Sequence, residues 1–170
     1  MFSIKPSDLS YNSIREYAET IGYHHSIYSE QGKADIDQLI SKIGGTTEKI
    51  KGDSPHSNKI MTVNGPQDFL IYLGSMESDR RRRFAKARAL GYYFLHYRYA
   101  GVEGEKIFNH IAFEDRRVHI QANVFAAALL MPEALFKEQL MLQGGDFWKL
   151  SAIFEVSPAA AETRMETITL

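Results

Sequence analysis

The chain has 170 residues, no cysteine, 44% hydrophobic residues and a formal charge of −1, enough for one compact domain with its own core. Balanced charge excludes a general pull toward nucleic acid or anionic lipid, and the missing cysteines exclude disulfides, thiolate metal sites and a cysteine nucleophile. No apolar run reaches the roughly 18 residues that span a bilayer, and the opening MFSIKPSDLS lacks the apolar stretch of a secretory signal, so a soluble cytoplasmic protein is expected.

In chain order, SDLSYNSIREYAETIGY sets Ile14, Tyr17, Ala18 and Ile21 at helical spacing behind caps at Ser7 or Ser10, with Gly22 as the expected left-handed terminus. A polar and aromatic connector leads to DIDQLISKIGG, where Asp35 caps, Ile36, Leu39, Ile40 and Ile43 form the buried stripe, and Gly44 ends the turn. Over 46–74 the period changes. TEKIK, KIMTV, a turn at Asn64 and Gly65, and DFLIYLG predict a small antiparallel three-stranded sheet, with GDSPHSN as a loop. After Asp79, Phe84, Ala87, Gly91, Phe94 and Leu95 recur at three- and four-residue steps and predict a long helix to about Tyr99. AGVEGE is loop. HIQANVFAAALLM then places Ala122, Phe125, Ala126, Leu129 and Leu130 on one stripe, and its near-continuous apolarity predicts a helix buried all round until Pro132 stops it. Pro132 opens a further helix that finishes at Gly144, and Asp146 and Ser157 cap two more. The fold class expected is α+β in one domain, 1–170, with N-terminal helices (1–45), a small sheet (46–74), a central helix pair (79–131) and a C-terminal helical subdomain (132–170).

The long helix carries RRRFAKARALGYYFLH. A zinc-peptidase helix, H-E-x-x-H, holds two imidazoles at i and i+4 with a glutamate beside them as general base. In this frame the chain resembles the ImmA/IrrE family of metallopeptidases, which act on helix-turn-helix repressors of bacteria and their mobile elements. Where the family reads R-F-x-x-A-H-E-L-G-H-x-x-L-H, the chain has Arg83, Phe84, Ala87, then Arg88, Ala89, Leu90, Gly91, Tyr92, then Leu95 and His96. Where the family reads E-A-N-x-F-A-x-x-L-L-M-P, it has Gln121, Ala122, Asn123, Val124, Phe125, Ala126, then Leu129, Leu130, Met131 and Pro132. FEVSPAAAETRM is similar to the family's closing helix pair. The resemblance covers residues 69–164 and implies a zincin-like helical domain, a small antiparallel three-stranded sheet and a C-terminal helical pair.

It also implies a remnant site at Arg88, Ala89, Tyr92 and Gln121, with no catalytic residue, no metal ligand and no cofactor. Arg88 has no lone pair and a permanent charge that repels a dication. Tyr92 ligates only as phenolate, far from its usual pKa of about 10. Gln121 keeps the shape of a glutamate without its charge, and Ala89 leaves no base for an attacking water. Arg88 is expected to fill the vacated space and donate to Gln121 Oε1, or else, with Tyr92 and Tyr93, to meet a carboxylate on a partner. A metal regathered by His96, His110 and His119 is the alternative. Arg83, shared with the family, is expected to brace the fold.

The function these readings imply is non-catalytic: regulation of transcription by binding a protein partner. The expected partner is a helix-turn-helix repressor of a phage or mobile element, sequestered in antirepressor fashion. Candidate partner-binding residues are Phe69, Ile71 and Tyr72 on DFLIYLG, taken as an edge strand beside the cleft, together with Tyr93 and the basic Arg80, Arg81 and Arg82. Direct nucleic-acid binding is not expected, since the closing helix pair has few exposed basic residues, chiefly Lys149 and Arg164, and no membrane contact is expected. The competing readings are a peptidase with unconventional metal ligands and a component of a toxin–antitoxin or phage-defence pair.

Overall fold

A computed structural model describes residues 4–110 and 115–169. Short polar side chains start its helices. Ser10 accepts from Ser13 N to open α1 (Tyr11–His24), and Asp35 from Gln38 N to open α2 (Ile36–Lys42). Ser78 caps α3 (Asp79–Tyr93), which runs straight into a π-helical turn, Phe94–Arg98. Asp115 caps α4 (Arg116–Leu130), Pro132 precedes α5 (Glu133–Leu142), Asp146 caps α6 (Phe147–Phe154), and Ser157 Oγ accepts from Ala160 N in the first turn of α7 (Pro158–Thr169). The strands are β1 (Gly45–Ile50), β2 (Lys59–Gly65), β3 (Asp68–Gly74) and β4 (Lys106–Asn109). The result is a mixed α+β fold whose C-terminal part is helical.

The sheet has four strands, not three, and is mixed, in the order β1-β3-β2-β4. β3 pairs parallel with β1 and antiparallel with β2, and β4 closes the far side against β2. DFLIYLG is therefore a central strand and not an edge. Its alternate residues Phe69, Ile71 and Leu73 are buried to 1–2% exposure, while β1, an edge, leaves Thr46 to Lys49 in water. The hairpin turns at Pro66 and Gln67, two residues beyond the expected Asn64 and Gly65. Gly65 already pairs with Asp68 across a bulge, and Pro66 supplies the fixed φ that a first turn position wants.

Gly22 does not end α1. The helix continues to His24, and the left-handed residue is Ser26, with φ of 54°. Gly22 is small for another reason: a Cβ there would lie 2.3 Å from the Tyr28 hydroxyl, which donates to Leu129 O at 2.7 Å and ties the connector to α4.

α4 crosses α3 where Gly91 faces it. A Cβ on Gly91 would stand 2.9 Å from Ala122 O and 3.0 Å from Ala122 Cα, so the backbone of α4 sets the limit. Gly91→Ala should thus lower stability in urea unfolding. It gains about 1 kcal/mol of helix propensity but forces the kind of backbone shift that costs about 1–3 kcal/mol. A more stable variant would mean that the helices part freely. No single helix among the described residues is long and apolar enough to cross a membrane.

Candidate functional site

The helical period lines up Arg88, Tyr92 and His96 along α3 and its π-helical continuation, facing the first turns of α4. Tyr92 is fully buried, stacked on Phe108 of β4 at 5.6 Å. Its hydroxyl lies 2.7 Å from His119 Nδ1. Burial pushes the Tyr92 phenol up to about 12, with Arg88 pulling the other way. Burial, and then the charge of Arg88, hold His110 and His119 below the usual imidazole range. At neutral pH the phenol therefore keeps its proton and the imidazoles are neutral, so the positive charge of this cluster is the guanidinium of Arg88.

Gln121 plays another part. Its Oε1 accepts from Ser7 N at 2.9 Å and lies 3.0 Å from His96 Nε2, while its Nε2 donates to Ser7 O at 3.0 Å. The amide clamps the N-terminal segment onto α4 as a short strand would, which a carboxylate, lacking a donor, could not do. The expected bond from Arg88 to Gln121 is not made. Arg88 Nε is buried and has no hydrogen-bond partner among the described residues. His119, two residues before Gln121 and on the opposite side of α4, is the residue that meets Tyr92.

The zinc implied by the zincin frame does not fit this donor set. The first ligand position holds a cation, the base position a buried methyl group, and the second a phenol engaged with His119. Nor do the three histidines regroup. His96 is buried against Gln121, and burial keeps its pKa low, whereas His110 and His119 lie nearer the surface, their rings partly covered beside Arg88. Among the described residues no group of three or more histidines, cysteines or carboxylates has the geometry to hold a metal.

The expected partner-binding residues scatter. Phe69, Ile71 and Tyr93 are core residues, and the Tyr93 hydroxyl donates to Pro66 O. They offer no docking surface. Tyr72 is half-buried, stacked on His56 at 5.2 Å. Arg80 donates to Ser151 Oγ and Val156 O, joining α3 to α6. Arg82 folds back onto Gly74 O, Ser75 O and Glu77 O and pairs with Asp79 at 2.5 Å. Arg83 donates to Ala34 O at 2.7 Å. These are braces of the fold, and of the run only Arg81 points to water without such a role. Arg164, expected on the surface, is 4% exposed; it donates to Met131 O and pairs with Glu19 at 3.2 Å.

α4 proves to carry two apolar stripes. Ala122, Phe125, Ala126, Leu129 and Leu130 are buried. Ile120, Val124 and Ala127 face the other way and, with the buried Met131 just past the helix end, Phe84 of α3 and Ala160 of α7, line a groove of about 500 Å³. Ile120 is 42% exposed, so the helix is not buried all round. The missed signal was in plain sequence: 120, 124 and 127 repeat at helical spacing, displaced from the core stripe. Arg88 sits at the end of this groove and also lines a smaller cleft of about 240 Å³ beside Lys59, Tyr72 and His110.

A helix pair, α3 and α4, packed beside a mixed four-stranded sheet with a helical C-terminal part defines the class. The chain belongs to the IrrE N-terminal-like domain family (Peptidase_M78), which matches residues 33–166 and so takes in the sheet as well as the helices. A transcriptional regulator of Mycobacterium tuberculosis is similar in structure, with a TM-score of 0.58 at 16% identity over 88% of this chain. The likeness covers 45% of that protein, so this chain spans less than half of its length. No curated protein matches the chain.

Proposed function

We propose that the protein regulates transcription by binding and sequestering a protein partner, a helix-turn-helix repressor of a phage or mobile element, without cutting it. One observation carries the reading: Arg88 occupies the first ligand position of a helix that keeps its packing glycine and its contacts with α4. A cation at that position in an otherwise well-packed helix pair supports binding without metal chemistry. A cleft needs no metal to hold a peptide segment, because apolar pockets and backbone pairing do most of that binding.

The test mixes the purified protein with the repressor encoded nearest its gene. The expected result is a stoichiometric complex with intact repressor, and release of operator DNA. Cleavage of the repressor that a chelator stops, together with stoichiometric zinc on the purified protein, would overturn the reading in favour of a peptidase with unconventional ligands.

A further inference from the structure

We propose that the groove between α3, α4 and α7 is the docking site for an acidic amphipathic helix of the partner, its apolar face on α4 and α7 and a carboxylate of its rim on Arg88. The inference rests on the protein-binding reading above and names the surface and the chemistry of the ligand.

Shape argues for a helix. Ile120, Val124 and Ala127 form a ridge along α4, and seven steps of ~1.5 Å each span about 10 Å, roughly two turns. The opposite wall is Ala159, Ala160 and Thr163 of α7. Small side chains there let a third helix come close, and a ridge of period i, i+4, i+7 is what another helix packs against.

Charge chooses the kind of helix. In a chain with 20 basic and 21 acidic side chains, the groove is lined by three arginines and, among the described residues, no carboxylate. Arg164 is neutralised by Glu19, and Arg15 donates to Asn12 Oδ1. Arg88 is different: among the described residues no carboxylate pairs with it, so its charge is left for an incoming carboxylate to meet.

The probe is a synthetic helical peptide with leucines at i, i+3, i+4 and i+7 and glutamates flanking them, beside a counterpart carrying lysine for each glutamate. Fluorescence anisotropy should show binding of the acidic peptide alone, weakened about tenfold or more by Arg88→Gln and unchanged by Arg81→Gln. Methyl resonances of Ile120, Val124 and Ala127 should shift on titration. Equal binding of the lysine peptide, no binding of either, or shifts confined to another face would overturn the proposal. A wild-type dimer dispersed by Arg88→Gln would overturn it too, by showing a second copy in the groove. A repressor complex that survives both Arg88→Gln and Ile120→Asp would remove this groove while leaving the regulatory reading intact; a wild-type protein that forms no repressor complex would remove that reading itself.

Discussion

Arg88→His combined with Tyr92→His should convert the chain into a zinc protein, binding about one ion per molecule through the two new imidazoles and His119. The Tyr92 hydroxyl now touches His119 Nδ1 at 2.7 Å. An imidazole is shorter than a phenol, so the exchange opens a gap in front of His119 that two Zn–N bonds of about 2.0–2.1 Å can bridge. Removing Arg88 also removes the charge that would repel the ion and that, after burial, holds the pKa of His119 down. Metal content after dialysis, and a rise in unfolding temperature with added zinc, are the measurements. His119→Ala in the same background should abolish both effects. Gln121→Glu should not strengthen binding and should cost stability, because it replaces the amide that donates to Ser7 O and leaves a carboxylate against that carbonyl. Zinc binding that depends on Gln121→Glu and ignores His119 would reverse this assignment of α4.

The contrast between His119 and Gln121 shows where sequence stops being informative. The order of elements was readable: caps at Ser10, Asp35, Asp146 and Ser157 and the spacing of Phe84, Ala87 and Gly91 are local features, and local features survive in one dimension. The core stripe of α4 was readable too, but the partners of the polar residues at its first turns were not. A helix rich in apolar residues offers several plausible inner faces, and a shift of two residues turns it by about 200° at 3.6 residues per turn. Motif matching placed Gln121 against Arg88. It meets the same row of α3 one turn further on, at His96, and is held by the clamp on Ser7, 114 residues away in sequence, a contact that no local pattern encodes.

The sheet failed for a related reason. DFLIYLG and KIMTV are consecutive and form the hairpin, as the period-two pattern suggests, but the parallel pairing of β1 with β3 depends on which edge β1 chooses. β4, with only Lys106 to Asn109, is too short for alternation to register, yet its Phe108 forms the floor under Tyr92. The basic run at 80–83 misled by composition. Three of its four guanidiniums are spent on carbonyl and hydroxyl groups that close α3 onto its neighbours, contacts visible only after folding. The expected partner of Arg88 was not found, because a residue's position in a motif is local while its surroundings are not.

Phe125→Ala should be the most damaging single substitution outside the site, lowering the free energy of unfolding by about 3–5 kcal/mol. Phe125 is fully buried on the core stripe of α4. It stacks on Phe94 at 5.7 Å and meets the edge of Tyr17 at 6.1 Å, so one ring joins α4 to the π-helical turn and to α1. Its Cβ also lies 3.2 Å from where a side chain on Gly91 would begin. Truncation therefore leaves a cavity bounded by three elements that cannot all move inward at once, and such a cavity collapses poorly. Set against a usual total of about 5–15 kcal/mol, the loss brings the chain close to unfolding. Urea titration with an unchanged m-value is the measurement, and Phe125→Leu should recover most of the stability by keeping much of the buried volume. A loss below about 1 kcal/mol for Phe125→Ala, the size of an ordinary surface effect, would mean that α1, α3 and α4 do not converge on this ring, and the groove on the far side of α4 would then have no fixed wall to be built on.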